Sequence, residues 1–430
     1  MAVLIFSSHM TRLGAMIALC PTGLYYAVAM KFMYQKTSKY FAQVPAGLEK
    51  PAAAELKELG VKDAGPDFRG VHFHCDQRTL YRVVYCARLV THVLAPLLTF
   101  DCHSTNYLYK TARKIPWHEL FGPDDTFAVF ANVSNSRIRH SRYASLCLKD
   151  AIVDDFRDRT GRRPNVDPKQ PERSISLHIH DNRATVSFDV AGRSLHKRGY
   201  RKASVDAPMQ ETLAAAIIRL SDWQGEAPLH DPMCGSGTLL CEALMHYCRI
   251  PSGFLAPDFA FRFLPDFDAN AWEQEKKKAD AQIRELPEGL IKGSDADSNA
   301  IAAARTNCAT LPGGDEIRLS VKPFEKLPPL EGHVIVCNPP YGIRLGDQQQ
   351  AGTLLKTFGD FLKQDCAGST AYIYFGAPEL VKKLGLKPAW RQPLKNGGLD
   401  GCLGKVELYA GTRDRRLQRK KDQRAKERDA

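Results

Sequence analysis

Val334-Ile335-Val336-Cys337-Asn338-Pro339-Pro340-Tyr341 is the stretch on which the reading of this chain turns. Four apolar residues that stop at Pro-Pro predict a buried strand ending in a rigid, open turn. The Asn338 side-chain carbonyl and the backbone carbonyl of Pro339 are both acceptors and can face one point. A planar exocyclic amine placed there donates its two N–H groups to them and aims its nitrogen lone pair outward. Tyr341 offers a ring on which a base can stack. The bland alternative for this tetrapeptide alone is a strand terminator followed by a packed Tyr, so the surrounding chain must decide.

Around this stretch the pattern alternates helix and strand. Helix 209–220 precedes a short strand, 228–230, which runs into Asp231-Pro232-Met233-Cys234-Gly235-Ser236-Gly237-Thr238 and a helix over 239–248. An aromatic loop (Phe254, Phe259, Phe261, Phe263, Phe267) and a charged helix, 272–286, separate these from strand 290–293, which leads into Asp295. Helix 298–308, strands 317–321 and 334–337, helix 353–364, strand 370–375 and a terminal strand, 405–409, follow. Such alternation predicts a mainly parallel sheet with helices on both faces, its ligands at the carboxyl ends of the strands. The glycine turn lets backbone approach a ligand and then starts a helix. No Lys-Ser/Thr follows it, so it is not a Walker loop, and it lacks the third glycine of a dinucleotide fingerprint. Asp231 would repel a pyrophosphate but suits an amino- or sulfonium-bearing ligand, and Asp295 can accept from ribose hydroxyls. Acid, glycine turn and second acid together describe binding of S-adenosylmethionine (SAM) by Asp231, Met233, Cys234, Gly235, Ser236, Gly237, Thr238 and Asp295. The competing reading is a tight strand–helix turn with a capping aspartate.

The remaining 200 or so residues differ in charge. Residues 1–205 hold 30 Lys and Arg against 18 Asp and Glu, whereas residues 206–412 hold 21 against 26. A basic front beside an acidic back suggests capture of a polyanion by one part and chemistry by the other. The front half predicts a strand at 39–44, a helix at 47–59, a strand at 71–74 and a long amphipathic helix at 79–98. A second α/β unit follows, with strand 127–133, helix 143–160 and a hairpin, 174–180 and 184–190, turned at Asp181-Asn182. Two clusters combine basic and aromatic residues: Arg137, Arg139, Arg142 with Tyr143, and Lys197, Arg198, Tyr200, Arg201. Basic side chains hold phosphates while rings stack on unpaired bases, which makes both clusters candidate RNA contacts.

The twelve cysteines lie singly, with no Cys-x-x-Cys, as in a reducing cytoplasm and without a zinc site. The apolar stretch 13–30 is interrupted by Gly14, Pro21 and Gly23, which argues against a membrane span. Residues 1–38 are expected to be a leader outside the fold, and 413–430 a basic, disordered tail.

On these residues the chain resembles a known family. Asp231–Thr238 and Asn338–Tyr341 resemble the cofactor and catalytic loops of class I SAM-dependent amino-methyltransferases. Lys149–Asp154, Gly161–Asp167, Ser187–Asp189 and Leu195–Arg201 resemble a THUMP RNA-binding domain and its exit. Over about residues 40–412 the whole is similar to the RlmL family of 23S rRNA guanine-N2 methyltransferases. The resemblance implies a Rossmann-like α/β methyltransferase domain (204–412) preceded by an α+β ferredoxin-like region (39–100) and a THUMP domain (101–203). It also implies SAM as cofactor, and 23S rRNA or a large-subunit precursor as partner. Asn338, Pro339, Pro340 and Tyr341 become the catalytic residues. Two departures qualify this. Lys322-Pro323-Phe324-Glu325 stands where many class I enzymes carry a third acid, so adenine is expected against backbone groups and Phe324. The second methyltransferase that some members carry is not in this chain. Adenine-N6 methylation, guanine-N2 methylation of transfer RNA and a silent RNA-binding assembly factor stay open as alternatives.

Overall fold

The computed structural model describes residues 31–204, 209–340 and 347–409. They form two sheets. Tyr341, residues 1–30 of the expected leader and the tail 413–430 lie outside the described residues.

The front sheet contains β1 (Lys39–Gln43), β2 (Asp63–Asp67), β3 (Gly70–His74), β4 (His92–Asp101), β5 (Thr126–Ser134), β6 (Asn165–Val166), β7 (Arg173–His180) and β8 (Arg183–Asp189). Their order is β2-β3-β1-β4-β8-β7-β5-β6. Helices α1 (Met33–Thr37), α2 (Glu49–Glu58), α3 (Gln77–Cys86), α4 (Thr105–Ala112) and α5 (Ser141–Thr160) accompany it. Period-2 alternation decides the buried face: Ile175, Leu177 and Ile179 of β7 are fully buried, while His178 and His180 between them are exposed. The β7–β8 turn has positive φ at both Asp181 and Asn182, as a tight hairpin demands.

Two expectations for this half fail. The stretch 79–98 is not one helix: α3 ends at Cys86, and Ala87 caps it in an extended conformation. The chain then re-enters as β4, with Pro96 accommodated where the register shifts between Pro96 and Leu98. An apolar run of this length satisfies either period, and burial in the sheet settles it. β4 pairs with β1 through His92–Leu94 and with β8 through Leu94–Asp101. The ferredoxin-like and second α/β units therefore share one continuous sheet. The leader reading is also corrected in part. Phe32 and Tyr34 are 2% and 1% exposed, pack in the core, and the Tyr34 hydroxyl donates to Asp266 Oδ1 at 2.7 Å.

The second sheet contains β9 (Leu229–Asp231), β10 (Ile291–Asp295), β11 (Arg318–Val321), β12 (Val334–Cys337), β13 (Thr370–Phe375), β14 (Trp390–Asn396) and β15 (Leu399–Glu407). Its order is β11-β10-β9-β12-β13-β15-β14. The strands from β11 to β13 are parallel, and β15 runs antiparallel to β13 and to β14. The sequence reading had only one terminal strand, at 405–409. Pro393, the Gly397-Gly398 turn and the exposed charges of β14 hide the hairpin. Helices α6 (Glu211–Leu220), α7 (Thr238–Tyr247), α8 (Ala269–Asp280), α9 (Ser298–Cys308) and α10 (Asp347–Asp365) complete this half.

The aromatic loop has a structural purpose. Phe259, Phe261, Phe267 and Trp272 pack on Tyr81 and Tyr85 of α3, with Tyr85 and Trp272 edge to face at 5.3 Å. Arg82 of α3 pairs with the buried Glu275 of α8 at 2.6 Å. The two halves are thus stapled by burial plus charge. Because Phe32 belongs to this core, Phe32→Ala should lower stability by ~3 kcal/mol in urea titration, a large-to-small core loss. An unchanged midpoint would return residues 32–38 to the leader.

Candidate active site

Strand order reverses between β9 and β12: the chain moves outward from β9 through β10 to β11, then crosses back to β12. Helices cannot cover the crevice outside the carboxyl ends of two strands that diverge in this way. Asp231 ends β9, Asp295 ends β10 and Asn338 follows β12. Sequence order thus becomes spatial adjacency.

The glycine turn is built by necessity. Gly235 and Gly237 have φ of 53° and 81°, a left-handed conformation that side chains resist. A Cβ on Gly237 would also stand 3.1 Å from that of Ala304 on α9. α7 starts at once from this turn, so its first N–H groups face the crevice. The Asp295 carboxylate accepts from the Gly235 N–H at 2.9 Å through one oxygen and from the Asp297 N–H at 3.0 Å through the other. An ionised carboxylate has about four acceptor positions, so two remain for a diol. Asp231 is 1% exposed and, among the described residues, accepts only from the Met233 N–H, at 3.2 Å. Burial pushes its carboxyl well above the usual range, and Asp295 nearby pushes it further. A cationic ligand would reverse that penalty.

Asn338 supplies the sharpest observation. Its Oδ1 is buried and has no hydrogen-bond partner among the described residues. An unmet buried carbonyl costs about 1–3 kcal/mol and calls for a donor. Pro339 is buried beside it and Pro340 exposed. A left-handed glycine turn, a half-used carboxylate, a buried acid and an orphaned amide oxygen together fit a ligand carrying an ammonium or sulfonium and a diol, next to an amine.

The other expected residues divide. Met233 and Gly235 are partly exposed, and Cys234, Ser236 and Thr238 are buried in the turn. Phe324 is 3% exposed with its ring against Phe358 and Phe361, at 5.2 and 5.7 Å. It is a core residue there, not a free platform. Arg137, Arg139 and Arg142 are exposed and make no ion pair among the described residues. The loop carrying Arg137 is tied to the β7–β8 turn, its N–H donating to Asn182 Oδ1 at 2.8 Å. Lys197 is exposed as well. Its neighbours are not. Arg198 and Tyr200 are each 1% exposed and both donate to Glu242 Oε1 of α7, at 3.3 and 3.1 Å. Arg201 pairs with Glu211 at 3.1 Å. A basic-aromatic cluster in sequence is here an internal clamp, because an acid 42 residues on compensates it. The sequence reading missed Glu242. An acid inside the apolar run of α7 was the available signal.

Three comparisons bear on this geometry. Family models match the chain as an RlmL ferredoxin-like domain at 39–94, a THUMP domain at 102–189 and an RMKL-like methyltransferase domain at 198–405. A Synechocystis protein named "Putative RNA methyltransferase slr0064" is 41% identical over 374 residues, 87% of this chain and 97% of its own. The Ribosomal RNA large subunit methyltransferase K/L of Syntrophotalea carbinolica is 37% identical over 84% of this chain. The match spans 52% of that protein, so the chain covers about half the length of this relative. The crystal structure of SMU.472, titled "a putative methyltransferase complexed with SAH", superposes with a TM-score of 0.76 at 27% identity. It covers 89% of this chain and 100% of that one.

The buried acid gives a test with a defined sign. A carboxyl raised above its unfolded value near 4 stabilises the fold fully below that pH, and the contribution is lost as pH rises. Asp231→Asn should therefore melt above wild type at pH 7 without ligand, the gap closing towards pH 4. The same variant should bind SAM more than tenfold more weakly by calorimetry. Unchanged affinity with the fold intact would remove Asp231 from the site.

Proposed function

Since the chain belongs to the RlmL-like family of THUMP-containing SAM-dependent methyltransferases, we propose that it methylates the N2 amine of a guanine in 23S rRNA or a large-subunit precursor. The observation that carries the amine chemistry is the buried Oδ1 of Asn338 at the switch point, unpartnered among the described residues. The relatives named for the large ribosomal subunit support the substrate class.

SAM, when bound, supplies an electrophilic methyl group on a sulfonium. The residues of the chain do the rest. Asp231, the glycine turn and Asp295 hold the cofactor by its charge, backbone and ribose. Asn338 Oδ1 and the Pro339 carbonyl accept the two amine hydrogens, which localises the nitrogen lone pair and directs it at the methyl. No strong base is needed, because the ammonium formed on methyl transfer is acidic enough to lose its proton to solvent. A base in a stack cannot reach this crevice, so the target is flipped out, with Tyr341 as its stacking partner. The exposed Arg137, Arg139, Arg142 and Lys197 hold phosphates. Arg198 and Tyr200, being buried, and Arg201, engaged by Glu211, do not contact RNA in this reading.

Asn338 should matter most in the transition state, so its loss should lower rate rather than affinity. Asn338→Ala is expected to lose at least ~100-fold in single-turnover methyl transfer to unmodified 23S rRNA, comparable to removing one preorganised polar partner. SAM and RNA affinities should each change by less than about threefold. Full activity would overturn the mechanism, and label recovered as N6-methyladenine would overturn the guanine assignment alone. For RNA capture, Arg137→Glu with Arg139→Glu should weaken binding more than tenfold and flatten its salt dependence, since two phosphate contacts are lost. An unaltered salt slope would move the interface elsewhere.

A further inference from the structure

One buried polar side chain near the cofactor turn has no part in the chemistry above. Asn307, the penultimate residue of α9, is 1% exposed. Its Oδ1 accepts from the backbone N–H groups of Lys202 and Ala203, at 2.7 and 2.9 Å. Its Nδ2 donates to the carbonyls of Ala203 and Ser236, at 2.8 and 2.9 Å. All four hydrogen-bonding positions of the amide are filled, and only this orientation of oxygen and nitrogen fills them. The side chain is a fixed bracket between two backbone segments.

Those segments have different origins. Ser236 is the middle residue of the glycine turn. Lys202 and Ala203 belong to the segment that leaves the front half, just after Tyr200 is anchored on Glu242. Arg201, in the same segment, reaches Ser236 Oγ at 3.5 Å and the Met209 carbonyl at 3.0 Å. A turn with left-handed glycines on both sides of one serine has many conformations open to it. Its shape must be imposed by bonds from outside, and two of them come by way of residues 201–203.

We propose that Asn307 is a positioning residue for cofactor binding, which fixes the glycine turn against the segment leaving the RNA-binding half. Affinity for the cofactor is then set partly by residues outside the methyltransferase sheet. The proposal rests on the reading of the turn as the SAM site, and the experiment separates the two.

The test uses full-length protein and calorimetric titration with S-adenosylhomocysteine (SAH). Asn307→Asp keeps an oxygen for the Lys202 and Ala203 N–H groups but sets a second acceptor against the Ser236 carbonyl. It should weaken SAH binding at least tenfold and raise the KM for SAM. The turnover number and RNA affinity should stay within about threefold. Arg201→Gln, a partly exposed site, should weaken SAH more than about threefold with RNA affinity unchanged, and it supplies the answer if Asn307→Asp does not fold. Glu275→Gln serves as a control for stability, since it breaks the Arg82 pair at another contact between the halves. It should lower the melting temperature and leave SAH affinity alone. Undiminished SAH binding in folded Asn307→Asp and Arg201→Gln, or a loss no larger than that of Glu275→Gln, would overturn the inference. Wild type failing to bind SAH would instead overturn the cofactor reading, and this inference with it.

Discussion

Glu242 has no exposed surface at all, and the arrangement of the molecule follows from how that charge is met. It sits on α7, whose first residue follows the glycine turn directly. Its partners, Arg198 and Tyr200, come from the segment that leaves the front sheet. Stripping water from a carboxylate and a guanidinium costs several kcal/mol per ion, and the attraction offsets this only with good geometry and further hydrogen bonds. Arg198 obtains these from the carbonyls of Leu195 and Arg88. One buried pair thereby ties together the exit segment, the connection from α3 to β4 and the helix behind the cofactor turn.

The site inherits its order from the second sheet. Parallel strands place Asp231 and Asp295 side by side, and the reversal between β9 and β12 brings Asn338 to the same crevice. The polar groups there are left deliberately underused. Among the described residues, Asp295 spends one oxygen on the Gly235 N–H and the other on the Asp297 N–H, Asp231 has a single backbone partner, and Asn338 Oδ1 has none. In a core these would be defects. At the end of a parallel sheet they define what a ligand must bring.

What the sequence made legible was whatever depends on local chemistry. Glycines that need positive φ, acids at strand ends and Pro-Pro after a β-rich run each carry their meaning within a few residues. The parallel strands of the second sheet, and Asp231, Asp295 and Asn338 at strand ends, therefore stand where the reading put them, whereas the β14–β15 hairpin does not. What stayed hidden depends on partners distant in the chain. Arg198 and Tyr200 read as RNA contacts because Glu242, which buries them, lies in another half. Residues 87–98 read as helix because β8, which makes β4 a strand, is some 90 residues further on. Phe32 and Tyr34 lie in a stretch without periodicity, and only Asp266 and the aromatic core reveal their place. Asn307 had no local signal of any kind.

Strand β4 also sets a constraint in time. It is the shared member of a sheet whose two sides are completed at different moments of synthesis. When Asp101 has left the ribosome, β1 and β3 can already pair, but the other edge of β4 has no neighbour until β8 emerges at Asp189. At 5–20 residues per second the nascent chain carries that open edge for roughly 5–20 seconds. The aromatic face of α3 waits longer still, for Phe259 to Trp272. An unpaired edge beside an uncovered apolar helix is a template for wrong partners. The interval between β4 and its second neighbour is thus the part of synthesis during which the front sheet stands half-built.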